Sequence, residues 1–383
     1  MYQRKQIFKN SEEESLFLWG ARQSGKTTLL KEKFPDALFI DLLLSNEYEQ
    51  LLRNPSLLRE RVLAFPKEKV IVIDEVQRLP NLLNEVHWLI ENRGNLFILC
   101  GSSPRKIIHS GENLLGGRAL RYHLYPLVSA EINDFDLARA INQGTLPRHY
   151  LSNIPAKLTS AYIGNYLKDE ILAEARIRNI AAFSSFFEAA AFSNGKIVNY
   201  QNIASDCGVS AKTVKDYFTI LQETLIGHFV PSFQKRPKRR VILAPKFYFF
   251  DLGITNYLLK RGTISMEGEL FGKAFEHFIF LELLAHSSYS DLHYPIYYWR
   301  TASGLEVDFI IGNQIALEVK GKKNITAKDL KNLKQFAEEY PEFRLMLVSN
   351  ESWPRQHENI TILPWKDFLY QLWKGELISM GDL

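Results

Sequence analysis

Two groups of residues in this chain have the types and the spacing to do chemistry. The first runs Gly20-Ala21-Arg22-Gln23-Ser24-Gly25-Lys26-Thr27-Thr28, the pattern G-x-x-x-x-G-K-[ST]. The apolar Leu16-Phe17-Leu18-Trp19 before it reads as a buried strand, and Thr28-Leu29-Leu30-Lys31-Glu32-Lys33 after it reads as a helix. A strand, a glycine loop and a helix in that order aim backbone N–H groups and the positive end of a helix dipole at a phosphate. Lys26 then reaches the outer phosphates of a nucleotide, expected to be ATP, and the Thr27 hydroxyl serves Mg²⁺. Further on, the buried strand Val70-Ile71-Val72-Ile73 ends in Asp74-Glu75. There Asp74 holds Mg²⁺ through water, and Glu75 orients the water that attacks the γ-phosphate. A pair of acids at a strand end also describes a solvated tip; the glycine loop upstream is what favours hydrolysis. A third strand, Leu96–Cys100, ends in Gly101-Ser102-Ser103, where either Ser102 or Ser103 can sense the γ-phosphate.

The second group lies near the C-terminus. Leu305-Glu306-Val307-Asp308-Phe309 and Ile315-Ala316-Leu317-Glu318-Val319-Lys320 alternate with period two, so Glu306 shares a face with Asp308 and Glu318 shares one with Lys320. A hairpin through Gly312-Asn313 sets Asp308 beside Glu318 and Lys320, and a helix over 271–284 adds Glu276. The same alternation also marks the wet face of an edge hairpin. Lys322, Lys323, Lys328, Lys331 and Lys334 follow and suit a nearby phosphate backbone.

Between these groups, helical spacing runs through 140–182 and suggests a lid or linker. Arg139, Arg148, Arg176 and Arg178 in it are open candidates for contact with nucleotide. An apolar helix over 183–192 leads to a short helix at 200–206. A turn at Cys207-Gly208-Val209-Ser210, with Ser210 as N-cap, then starts the helix 211–221. Strands are expected at 226–233 and 241–243 around Lys235-Arg236-Pro237-Lys238-Arg239-Arg240, which makes a winged helix with a basic wing. Lys212 and Lys215 on the second helix extend the same charge. Such a run attracts phosphates without sequence preference. It is also what a solvated surface or a protein-docking face carries. Without aromatic residues for stacking on bases, the wing favours duplex or branched DNA over single strands.

The whole chain frames these readings. Its 383 residues are enough for two or three domains, and its net charge of +4 is too mild to name a nucleic-acid partner without the local clustering. No apolar run approaches the roughly 18 residues of a membrane span. The N-terminus, Met1-Tyr2-Gln3-Arg4-Lys5-Gln6, does not read as a signal peptide. Only Cys100 and Cys207 are present, which excludes a disulfide framework and a cysteine zinc cluster and fits the cytoplasm.

Taken with Leu115–Pro126 and the Asp74-Glu75-Val76-Gln77 run, the glycine loop and strand tips give a resemblance over 15–135. This stretch is similar to the ATPase core of a prokaryotic AAA-type family whose members carry a C-terminal domain with a nuclease-like fold. The resemblance implies a doubly wound parallel sheet and an ATP site at a subunit boundary, hence a homo-oligomer, by family expectation a ring. Arg118 is then the candidate arginine finger, with Arg121 and Arg105 behind it; a surface arginine after a glycine turn is the competing reading. Residues 265–350 resemble the PD-(D/E)XK nuclease fold, which assigns Asp308 and Glu318 to Mg²⁺, Lys320 to catalysis and Glu276 to the helix carboxylate; the competing reading is the same fold serving as an inactive binding or assembly platform. The expected fold class is α/β: a P-loop core at 1–139, a helical segment at 140–182, a winged helix at 183–262 and an α/β nuclease-like domain at 263–383. The expected activity is that of an Mg²⁺-dependent ATPase acting on DNA. The alternatives are a nucleotide switch of signalling or toxin–antitoxin type that binds a protein partner, and a DNA nuclease that ATP regulates.

Overall fold

The computed structural model describes residues 2–109, 115–167, 171, 179–235 and 241–378. Its N-terminal part is a five-stranded, wholly parallel sheet with strand order β2-β3-β4-β1-β5. The strands are β1 (Ser15–Trp19), β2 (Leu38–Asp41), β3 (Ile71–Asp74), β4 (Phe97–Gly101) and β5 (Ala119–His123). β1, β3 and β4 are buried along their whole length, as their unbroken apolar sequences require when helices cover both faces. Trp19 pairs with Gly101 and Asp74 with Cys100, so the glycine loop, the acid pair and the two serines leave the sheet at one edge. That is the carboxyl edge, where open α/β sheets bind ligands.

In the middle region, the helices Ile180–Phe192, Tyr200–Cys207 and Ala211–Glu223 stand against a small antiparallel sheet of order β6-β8-β7. Its strands are β6 (Lys196–Ile197), β7 (Gly227–Val230) and β8 (Lys246–Phe249). Each helix start has its side-chain cap: Asn179, Asn199 and Ser210 accept from the backbone N–H of Ala182, Asn202 and Thr213. Gly208 makes the left-handed turn between the second and third helices. The expected strand at 241–243 is absent, and the partner of β7 is β8. The reason is a competing edge: Ile242 N–H bonds Arg300 C=O at 2.9 Å, and Phe233 N–H bonds Tyr298 C=O at 2.7 Å. Both ends of the basic segment are therefore tied to the C-terminal sheet. Its centre, Arg236–Arg240, lies outside the described residues.

The C-terminal part is a mixed six-stranded sheet of order β13-β14-β12-β11-β10-β9. It comprises β9 (Ile296–Arg300), β10 (Glu306–Ile311), β11 (Ile315–Lys320), β12 (Arg344–Ser349), β13 (Arg355–His357) and β14 (Ile360–Pro364). The long helix Gly268–Tyr289 packs Phe271, Phe275 and Phe278 with Phe309, Leu317 and Val319 in one core. No helix among the described residues is long and apolar enough to cross a membrane.

Candidate functional sites

At the sheet edge the helix Lys26–Lys33 begins directly after Gly25, whose φ of 96° requires glycine, and no side chain caps it. Its first N–H groups are thus left for a ligand. A side chain at Gly20 would collide with the Leu124 carbonyl, so the loop can lie this low only with glycine there. Lys26 is buried, and its ammonium folds back to donate to the carbonyls of Gly20 at 2.7 Å and Ala21 at 3.1 Å. Thr27 Oγ1 donates to Asp74 Oδ2 at 2.6 Å, placing both oxygens where one ion can join them. The buried Ser24 hydroxyl has no hydrogen-bond partner among the described residues. The donor set therefore fits a nucleoside triphosphate with Mg²⁺.

Glu75 takes the left-handed conformation at φ 59°, uncommon for a residue with a side chain. Its carboxylate accepts a hydrogen bond from Gln77 Nε2, which also donates to Ser102 Oγ at 2.9 Å. Ser102 Oγ lies 3.4 Å from the same carboxylate oxygen. Glu75, Gln77 and Ser102 thus form one buried unit. Ser103 faces elsewhere: its hydroxyl lies 3.4 Å from the backbone oxygen of Glu223, at the end of the third middle helix. Arg105 and His109 both reach the Glu223 carboxylate.

In the C-terminal sheet, the antiparallel register pairs Phe309 with Leu317 and so sets Asp308 opposite Glu318. Lys320 Nζ is 2.5 Å from Glu318 Oε1 and 3.7 Å from Asp308 Oδ2. Burial first, then the neighbouring Asp308 charge, raises the Glu318 carboxyl above the usual range. Glu276 joins this group, together with a residue the sequence reading passed over. Lys246, buried in β8, has its ammonium 2.7 Å from Glu306 and 3.2 Å from Glu276. Tyr248 O–H donates to the same Glu276 oxygen at 2.5 Å. Burial works against the Lys246 ammonium, but the charges of Glu276, Tyr248, Glu306 and Asp308 outweigh it and hold its pKa well above that of a free lysine.

Residues 12–133 match the family model described as AAA domain. Residues 134–265 and 271–368 match two domains of unknown function, DUF8612 and DUF4143. Uncharacterized proteins of Mycobacterium bovis and Mycobacterium tuberculosis are each 24% identical over 320 residues, covering 80% of this chain and 70% of theirs. A STAND-type signal-transduction ATPase with a tetratricopeptide-repeat sensor from Pyrococcus horikoshii aligns at 14% identity and a TM-score of 0.22. It covers 74% of this chain, which spans 48% of that one.

The remaining candidates fall in different places. Arg118 precedes β5, at the opposite sheet edge from the glycine loop, and pairs with Glu91. It therefore stands away from the glycine loop of its own chain. Lys212 and Lys215 are exposed on the third middle helix, and Lys235 Nζ lies 3.6 Å from Glu342. Arg139 stacks on Tyr150, and Arg176 and Arg178 lie outside the described residues. Four residues that contact these groups escaped the sequence reading. Arg4 donates to the Ser24 carbonyl at 2.8 Å and to Tyr125 O at 2.6 Å, and it pairs with buried Glu131. Gln77, Glu223 and Lys246 are the others. Only Lys246 left a signal, as a lone cation at the head of the aromatic run Phe247-Tyr248-Phe249-Phe250.

Proposed function

We propose that the chain is an Mg²⁺-dependent ATPase that uses hydrolysis to move its middle and C-terminal regions against DNA. The observation that carries this reading is the Thr27–Asp74 bond at the carboxyl edge of a parallel sheet, one residue from Glu75. The phosphates of ATP take the N–H groups at the start of the helix Lys26–Lys33, and Lys26 turns from the loop carbonyls to the outer phosphate oxygens. Mg²⁺ held by Thr27 and Asp74 neutralises phosphate charge. Glu75 orients the attacking water once it leaves Gln77, and Ser102 registers whether a γ-phosphate is there.

Support for mechanical output lies at the tip of β4. Ser102 belongs to the nucleotide site, while Ser103 and Arg105, directly after it, hold Glu223 on the third middle helix. A shift of this tip with the γ-phosphate moves that helix, which carries Lys212 and Lys215. Three capped helices against a three-stranded antiparallel sheet favour the winged-helix reading, and the basic Lys235–Arg240 run favours duplex or branched DNA as the partner. Placement of Arg118 away from its own glycine loop favours an assembly in which it completes a neighbour's site.

The experiment is ATP turnover with and without linear, single-stranded and branched DNA, with oligomer mass recorded. Lys26→Ala abolishes turnover with an unchanged circular-dichroism spectrum, and persistent turnover removes the ATPase reading. Neutralising Lys235, Arg236, Lys238, Arg239 and Arg240 abolishes DNA stimulation. A wild type that no DNA form stimulates removes the DNA reading and favours a switch with a protein partner.

A further inference from the structure

The acids between the helix Gly268–Tyr289 and the β10–β11 hairpin are already met by Lys246, Arg300 and Lys320, and among the described residues they form no group able to hold a metal ion. A buried ion pair with a different use lies beside the glycine loop. Arg4 belongs to the stretch before β1; its side chain is 7% exposed, and that of its partner Glu131 is fully buried. Nε stands 3.1 Å from the Glu131 carboxylate. The other two guanidinium nitrogens turn to the nucleotide site. Nη1 donates to the Ser24 carbonyl at 2.8 Å, and Nη2 donates to the Tyr125 carbonyl at 2.6 Å and lies 3.3 Å from the Tyr289 hydroxyl. Tyr125 directly follows Leu124, whose carbonyl is the group that a side chain at Gly20 would strike. One planar cation thus fastens the loop near its Gly25 end and the segment on which its Gly20 end rests.

We propose that Arg4 is a positioning residue of the nucleotide site, which sets the direction of the Ser24–Gly25 peptide and so aims the Gly25 N–H at phosphate. This deepens the reading of the sheet edge as a nucleotide site and rests on it. A trans peptide is planar, and its C=O and N–H point opposite ways. With the Ser24 carbonyl drawn out to Arg4, the Gly25 N–H faces the other side, into the loop. Glycine takes φ of either sign, and Gly25 sits at 96°, so this peptide can reverse cheaply unless something holds it. Reversal would turn a carbonyl oxygen toward the phosphates in place of a donor. Nη1 would also lie 3.7 Å from a side chain's first carbon at Gly25, so the guanidinium is packed directly against the turning point. A buried ion pair adds little net stability over apolar side chains of the same volume. What it adds here is geometry, because a guanidinium presents its donors in one fixed plane and an ammonium does not.

The test is calorimetric binding of Mg²⁺–ADP and Mg²⁺–ATPγS to the full chain, with unfolding temperature measured alongside. Arg4→Lys keeps the charge and loses the fork, and Arg4→Met removes both. Each variant binds both nucleotides roughly tenfold more weakly or worse, in proportion to the share of loops whose peptide has reversed. Arg4→Met also strands the buried Glu131, so the double variant Arg4→Met/Glu131→Gln is made as well. The double variant recovers unfolding temperature without recovering affinity. In turnover the KM for ATP rises and kcat stays within about threefold, because the N–H meets phosphate in the ground state as well as in the transition state. Affinity that returns with stability in the double variant overturns the proposal and leaves Arg4 a staple of the fold. Wild-type affinity in Arg4→Lys overturns it too. Neither result touches the nucleotide reading itself, whereas a wild type that binds neither nucleotide removes both.

Discussion

The two charged sites are built from the same parts and left in opposite states. At the N-terminal edge, Lys26 rests on carbonyl oxygens, Asp74 accepts from the Thr27 hydroxyl and the Glu75 N–H, and no side chain caps the helix start, so among the described residues no acid is paired with the lysine. In the C-terminal sheet, Lys246 and Lys320 are each in contact with two carboxylates. The first arrangement is ready for a ligand that brings its own charges, a polyanion together with its cation. The second has spent its charges on itself, and its product is attachment between regions of the chain. Residue types and spacing alone do not separate these cases. What separates them is whether a further side chain, delivered from elsewhere in the fold, closes the charge balance.

This contrast can be broken most forcefully at Glu276. Removing one partner from a buried, balanced group strands the other, at a cost of about 3–5 kcal/mol. Glu276→Leu should therefore lower the unfolding free energy by about that amount in denaturant titration, with ATP turnover at permissive temperature unchanged. A stable Glu276→Leu protein would show that the C-terminal charges are not holding the fold. The mirror experiment is Asp74→Asn. It should cut ATP turnover by roughly a hundredfold or more, as loss of a preorganised electrostatic group does, while leaving the unfolding midpoint nearly where it was. Equal loss of stability in both variants would erase the distinction between the sites.

How far these sites were legible follows from where their parts lie. The glycine loop, Asp74-Glu75 and Ser102-Ser103 are each contiguous in sequence and flanked by apolar strands, so local pattern sufficed to find them and to foresee one sheet edge. Asp308, Glu318 and Lys320 were legible for the same reason, since strand alternation and a hairpin bring them together. Lys246 and Glu223 were not, because their partners are at least thirty positions away and no periodicity encodes that meeting. Arg4 is the extreme case, reaching Ser24, Tyr125, Glu131 and Tyr289 from an N-terminal stretch without repeating pattern. The misplaced strand at 241–243 is of the same kind. Val241 and Ile242 look like strand residues and do pair, but with β9 of another sheet.

A smaller effect sharpens the N-terminal side of the comparison. Gln77 holds Glu75 by a charge-assisted hydrogen bond, of a kind worth about 1.5 kcal/mol or more. If that bond restrains the carboxylate before it meets water, Gln77→Ala raises basal ATP turnover by up to roughly tenfold. A fall in turnover instead assigns Gln77 to positioning Glu75 in the reactive state.

The last effect concerns the joint between the regions. Glu282, on the helix Gly268–Tyr289, accepts from Ser129 N–H at 2.7 Å, Ser129 O–H at 2.9 Å and Trp373 Nε1–H at 2.7 Å. Burial nevertheless pushes its carboxyl up to about 7. A carboxyl raised in the folded protein binds its proton there more tightly than in the unfolded chain. Below the unfolded value both states are protonated, and pH has no leverage. As pH climbs from that value through about 7, the folded state alone resists ionisation, so stability falls, and above it the full penalty stands. The melting temperature should therefore drift down across that window, at about 2–4 °C per kcal/mol for a chain this large. Glu282→Gln, which cannot ionise, should reduce the drift whatever its effect on absolute stability, the rest coming from groups such as Glu318, whose carboxyl burial pushes up to about 8. An unchanged slope in that variant would place the pH sensitivity elsewhere and leave the joint held by its hydrogen bonds alone.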